Sequence, residues 1–271
     1  MALIGSLTSG VSALQTFSKG IETIGDNIAN ANTTGFKSSR TRNEDSFSQT
    51  LKNATTTSSS LQIGSGVTVA TNRQNFTQGS LNSTGVATDL GIAGSGFFKM
   101  TTPNGLKSFY TRDGNFRLDA SSYIVDSQGN RLQGDATGGT GGVTPIRLTN
   151  LPANTLLSFS IAGDGQISET YADGTNAQTQ QITLWNFADP SSLKKEGANL
   201  FSATTASGIS ATAATPGANA GSLKQGALEL SNVDLAQEFS ELITAQRSFQ
   251  AGSRIISVSD SVLEEIVNLK R

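Results

Sequence analysis

Neither cysteine nor histidine occurs in the 271 residues. Their absence excludes disulfides, thiolate nucleophiles, zinc–thiolate sites and imidazole bases. Tryptophan occurs once and tyrosine three times, and aromatic residues make up 6% of the chain, thin material for a sugar-binding platform. Charge is also sparse: 15% of residues are charged and the net charge is −2, which gives nucleic acid no electrostatic footprint. No apolar run approaches the roughly 18–20 residues that span a bilayer, so membrane insertion is not expected. The first thirty residues have no basic n-region, continuous apolar h-region or small-residue cleavage site, so they do not read as a secretory signal. Carboxylate metal sites and Asp/Glu chemistry remain open, and no catalytic, cofactor or metal residues are assigned.

What is present is organised around the C-terminal forty residues. From Asn232 to Arg271 there is no proline and one glycine, Gly252, in a chain with 29 glycines. Leu235, Phe239, Leu242, Phe249, Ile256 and Leu263 recur at helical spacing, and the 3.5-residue period of a coiled coil fits them. Gln246, Ser253 and Asp260 interrupt the seam at regular intervals. A helix of about 37 residues extends about 55 Å, more than a single domain of this size needs. Residues 1–30 mirror it with Ile4, Leu7, Val11, Leu14, Ile21 and Ile28. The stretch from Asn30 to Phe36 stops that helix with turn-forming residues and Gly35.

Between the ends the period changes to two. Residues 53–60 are polar and of low complexity, read as a link. Short alternating runs follow at 67–71, 89–93, 97–100, 108–111, 115–118, 123–125, 146–148, 157–161, 166–168 and 181–185. Asp113-Gly114, Gln128-Gly129-Asn130, Asp164-Gly165 and Asp173-Gly174 stand between them as hairpin signals. This predicts an α+β chain: a discontinuous helical coiled-coil domain from residues 1–35 and 230–271, an extended linker over 36–66, and an antiparallel β-rich domain over 67–229. Residues 204–226, rich in Ala, Thr, Gly and Ser, lead back as a flexible link. The β domain is expected to close into a sandwich or partial barrel.

Motifs of chemistry are weak. Gly94-Ser95-Gly96 has Lys99 where a dinucleotide fingerprint needs its third glycine. The Asp-Gly turns lack the further carboxylates of a calcium loop.

Four ordered stretches carry a resemblance. Asn27-Ile28-Ala29-Asn30-Ala31-Asn32-Thr33-Thr34-Gly35-Phe36-Lys37 resembles the signature after the first helix of bacterial flagellar rod and hook proteins. The runs Asp89 to Phe98, Tyr110 to Phe116, and Ser231 to Phe239 with Ala245 to Gln250 resemble later motifs of that family, in the same order. Ala2-Leu3-Ile4-Gly5 and Ile266 to Arg271 look most like the hook protein, whereas the length looks like the distal rod protein. The reading favours a short hook protein, with distal rod as the alternative. The resemblance implies a non-enzymatic subunit without cofactor, exported by the flagellar type III apparatus and assembling with itself into a helical tube. Rod, hook–filament junction and hook cap proteins are its implied neighbours. The implied interface residues are Leu7, Val11, Leu14, Ile21, Ile28, Leu235, Phe239, Leu242, Phe249, Ile256 and Leu263, beside the signature residues Asn27, Asn30, Asn32, Thr34, Gly35, Phe36 and Lys37. A rival class is a secreted β-rich binding module on a coiled-coil stalk.

Overall fold

A computed structural model describes residues 2–52, 61–136, 142–148, 156–208, 214–218 and 220–269. The link read at 53–60 lies outside the described residues, as do 209–213 and 219 of the second link. The chain is α+β, with a helix near each end and a central antiparallel β-rich region. It divides into two compact units, one formed by Met1–Ala29, Ser38–Asn75 and Val233–Arg271, the other by Asn30–Lys37 and Phe76–Asn232.

In the helical unit, α1 (Ala2–Ala29) and α2 (Leu235–Leu269) run antiparallel. The register is regular. Ser6 Oγ lies 3.3 Å from Ser259 Oγ, Gly10 faces Ile256, Leu14 faces Gly252, and Asn27 bonds Glu238. Small side chains let the backbones approach: a Cβ on Gly10 would stand 3.0 Å from Ile256 Cγ1, and one on Gly252 3.2 Å from Leu14 Cδ2. That approach offsets the roughly 1 kcal/mol each mid-helix glycine costs relative to alanine. Asp234 starts α2, its Oδ1 accepting from the amides of Ala236 (2.9 Å) and Gln237 (3.3 Å), a cap of about 1 kcal/mol.

The region read as a linker holds ordered strands. β1 (Ser39–Asp45) pairs antiparallel with β4 (Val67–Gln74), and β2 (Ser48–Lys52) with β3 (Leu61–Gly64). The expected boundary at 66/67 therefore falls inside one hairpin. Polar alternation hid it, because β1 turns mostly charged and amide side chains to solvent. The hairpin lies along α1: Thr41 Oγ1 is 3.0 Å from Thr23 Oγ1, and Ser12 Oγ accepts from the amide of Val67 at 3.3 Å.

In the β unit the strands are β5 (Leu81–Ser83), β6 (Leu90–Ala93), β7 (Phe97–Thr101), β8 (Ser108–Thr111), β9 (Arg117–Leu118), β10 (Ile124–Val125), β11 (Arg131–Ala136), β12 (Thr144–Pro145), β13 (Leu156–Ile161), β14 (Gln166–Tyr171), β15 (Asn176–Ile182), β16 (Leu184–Trp185), β17 (Lys194–Gly197), β18 (Leu200–Ser202), β19 (Ser222–Gln225) and β20 (Ala227–Glu229). The main sheet runs β13-β14-β15-β11-β7-β8-β18-β17, antiparallel throughout. Its core gathers Ile92, Phe98, Met100, Leu132, Ile167 and Leu184 with their neighbours. A second cluster is aromatic, with Phe97, Tyr110, Trp185, Phe187 and Phe201 meeting mostly edge to face, the arrangement ring quadrupoles favour. The second link holds a strand where described: β19 pairs with β6 and buries Leu223; just beyond the link, β20 pairs with β5.

Candidate assembly surface and chain clasp

The signature after α1 is divided between the units. Asn27, in the helical unit, is buried, and its amide pairs with both backbone groups of Ser39. Nδ2 donates to Ser39 O at 2.9 Å and Oδ1 accepts from Ser39 N at 2.9 Å. Nδ2 also donates to the buried Glu238 Oε2 at 3.1 Å. An asparagine is required because one side chain must both give and accept.

Residues 30–37 belong to the β unit. Asn30 and Thr34 are half-buried and Asn32 is exposed, whereas Gly35, Phe36 and Lys37 are buried. Gly35 has φ +66°, and a Cβ there would stand 2.6 Å from the Asp113 amide nitrogen. Its own amide donates to Glu229 O at 2.8 Å. Thr34 Oγ1 donates to Asp113 Oδ1 at 2.9 Å, and Asn199 Nδ2 donates to Thr34 O at 2.8 Å. Asp113-Gly114, read from sequence as a hairpin signal, is thus the seat for this segment. A Cβ on Gly114 would fall within bonding distance of Leu90 O, at 1.7 Å. Burial raises the Asp113 pKa, against hydrogen bonds from Asn115 and Thr34 that lower it.

Lys37 completes the clasp. Its Nζ lies 2.6 Å from Glu229 Oε1 and 2.8 Å from Thr77 O, with both charged side chains fully buried. The Gly79 amide donates to the same Glu229 oxygen at 2.8 Å. Arg112 Nη1 stands 3.5 Å from Glu229 Oε2, an ion-pair contact too long for a good hydrogen bond, and donates to Gly94 O at 3.0 Å. Burial lowers the pKa of both Lys37 and Arg112, while Glu229 opposes each shift. Sequence reading singled out Lys37 as a signature residue; Arg112 and Glu238 lay inside the later family motifs without a role of their own, and Glu229 lay in none. An acid within the run Ala227-Leu228-Glu229-Leu230 was the available signal, since a strand that buries its neighbours buries the acid too.

The seam residues divide differently. Leu7, Leu14, Ile21, Ile28, Leu242, Ile256 and Leu263 are half-buried, while Val11, Leu235, Phe239 and Phe249 are exposed. The fully buried side of α2 instead presents Glu238, Gly252 and Ser259 to its partner. Beyond these, Ile243, Ile255, Val258, Ile266 and Val267 stand exposed, Val267 by 66%. Ile4 lies in α1, with its side chain outside the described residues. Among the described residues, no group of three or more Asp or Glu gathers in metal-holding geometry, and no helix is long and apolar enough to cross a membrane.

These features define a class of structural subunit whose terminal helices carry apolar side chains in excess of what one copy covers. Residues 7–37 match the family model for the flagella basal body rod protein, 91–169 that for the flagellar hook protein FlgE/F/G D1 domain, and 224–269 that for the flagellar basal body rod FlgEFG protein C-terminal. The flagellar basal-body rod protein FlgG of Bacillus subtilis is 39% identical over 276 aligned residues, covering 99% of this chain and 100% of that protein. FlgG of Borreliella burgdorferi is 36% identical, covering 100% and 99%. The flagellar hook protein FlgE of Escherichia coli is 26% identical over 416 aligned residues, covering 98% and 100%. The chain belongs to the flagellar hook and basal-body rod protein family. It is a structural component of the bacterial flagellum, one of the axial proteins that polymerise, and not an enzyme.

Proposed function

We propose that this chain is a subunit of the distal rod, polymerising into a helical tube. The observation that carries the reading is the end-to-end match in length: 276 aligned residues with the Bacillus subtilis rod protein, against 416 with the Escherichia coli hook protein. A subunit of the hook is the second reading, favoured by Ala2-Leu3-Ile4-Gly5 and by the ending from Ile266. In either tube, α1 and α2 pack with those of neighbouring copies as coiled-coil helices lining a channel. Subunits travel there through the type III export apparatus and meet rod, junction or cap proteins at the ends of their segment. Burial of Phe239, Ile243, Ile255 and Val258 against neighbouring copies drives assembly, each half-exposed side chain contributing roughly half of the 1.5–3 kcal/mol of full burial. The test is electron microscopy of concentrated protein. Straight tubes with a central channel support the rod, curved tubes the hook, and small closed oligomers would remove both. Phe239→Asp with Val258→Asp leaves the β unit folded and prevents tubes; normal polymerisation would show that these residues are not the interface.

A further inference from the structure

A basic face of the β unit has no role in the core or the clasp. In β9, β10 and β11, Arg117 pairs with Val125 and Val125 with Arg131, and Tyr123 bridges to Arg147. Directly paired residues share a sheet face, and alternation places Tyr123 on the face of Val125, so Arg117 shares the face on which Arg131 and Arg147 meet one tyrosine. Ile124 and Leu132 point the other way, into the core. The Arg131 guanidinium sits 4.0 Å from the Tyr123 ring centre and that of Arg147 5.5 Å. Arg147 Nε donates to Ser121 O at 3.1 Å, and Arg117 Nη2 reaches Ser127 O at 3.5 Å. Among the described residues, no carboxylate stands within 4.0 Å of Arg117 or Arg131. The nearby acids serve their own turns: Asp119 accepts from the amides of Ser121 and Tyr123, and Asp126 from those of Gln128 and Asn130.

A complementary segment exists on the same chain. Glu44 and Asp45, at the end of β1, are exposed, and Phe47 just beyond them is 91% exposed. The chain has one other pair of adjacent acids, Glu264-Glu265 on α2, and it has no such aromatic close by. Guanidinium groups bind carboxylates in a planar fork and stack on rings, so two acids followed by an aromatic fit an arginine–tyrosine face.

We propose that the Arg117–Tyr123–Arg131–Arg147 face is an anion-binding contact that receives Glu44, Asp45 and Phe47 of a second copy. Such a contact joins different surfaces of successive copies, the heterologous geometry from which open helical filaments are built. The proposal rests on the self-assembling reading, and its charges set register and salt sensitivity more than total affinity. Two measurements separate the two ideas. In the first, full-length Arg117→Glu/Arg131→Glu and Glu44→Lys/Asp45→Lys proteins are compared with the parent for the concentration at which tubes form. Each reversal raises it by about tenfold or more, equivalent to about 1.4 kcal/mol, and combining all four substitutions restores it to within about threefold of the parent. Parent-like assembly of either reversal, or no recovery in the combination, overturns the contact. In the second, a labelled peptide of residues 40–50 is titrated against the full-length chain by fluorescence anisotropy. Binding that weakens with salt and is lost in Arg117→Glu/Arg131→Glu supports the contact, and equal binding to both proteins overturns it. Absence of parent tubes would overturn the self-assembling reading while the peptide still decides the contact. Unchanged thermal melting of the variants shows that these substitutions leave the fold intact.

Discussion

Lys37 Nζ and Glu229 Oε1 meet at 2.6 Å inside the β unit, although they lie 192 residues apart in the chain. The pair ties the segment entering this unit to the strand by which the chain leaves it. Removing one partner strands the other as a buried charge, costing about 3–5 kcal/mol. Lys37→Met is therefore expected to destabilise the β unit by that amount in urea unfolding. Glu229→Gln should cost at least as much, because it leaves both Lys37 and Arg112 as buried cations without a counter-charge, and the double substitution should cost less than the two single losses summed. Additive losses would show that the pair is not coupled.

Gly35→Ala tests the backbone seat of the same segment. The left-handed φ of +66° costs a non-glycine residue about 1–2 kcal/mol. The added methyl would also meet the Asp113 backbone, with its nitrogen at 2.6 Å. Backbone cannot swing aside as a side-chain tip does, so a lower melting temperature and faster amide exchange at Thr34 to Lys37 are expected. Unchanged melting would mean that the segment does not dock as described.

The helices and the β class were legible because their periods are written in apolar residues. Runs at 97–100, 108–111 and 157–161 correspond closely to β7, β8 and β13. Less was legible where pairing, not hydrophobicity, makes the strand. β1 and β17 are almost wholly polar and exposed, so nothing in their alternation announces them. The run at 146–148 is apolar enough, yet only a bridge forms there, between Arg147 and Tyr123. The helix contact was displaced for a similar reason. Period counting follows large side chains such as Phe239 and Phe249, whereas two helices in close approach select Gly10, Gly252 and Ser259. The clasp was half legible: Lys37 and Arg112 each belong to a contiguous motif, while only the fold brings them together at Glu229.

Asn27→Asp should be more damaging than its size suggests. The carboxylate keeps the bond from the Ser39 amide but loses the donors to Ser39 O and Glu238. It also places a second acid against a buried one, and like charges at this distance repel. A loss of about 2–4 kcal/mol is expected in the helical unit, read as faster amide exchange around Ser39 and in the first turns of α2. Asn27→Ala, which leaves groups unpaired without adding charge, should fall between the parent and Asn27→Asp. The reverse order would show that the Asn27 side chain does not face Glu238.

Tyr171 predicts how the β unit responds to alkali. Its hydroxyl donates to the buried Glu169 carboxylate, and that bond, with burial and the charge of Glu169, raises its pKa to about 12 from an ordinary 10. The folded state therefore holds the phenol proton more tightly than the unfolded chain does. The stabilisation is complete below pH 10 and is lost as pH rises through 12. Tyr171→Phe removes the bond at every pH and leaves Glu169 without that donor, so the variant should melt below the parent at pH 8. The gap should narrow between pH 10 and 12, where the parent ionises and the variant has no phenol to lose. Parallel melting curves of parent and variant across that window would show that the Tyr171 proton is not linked to folding.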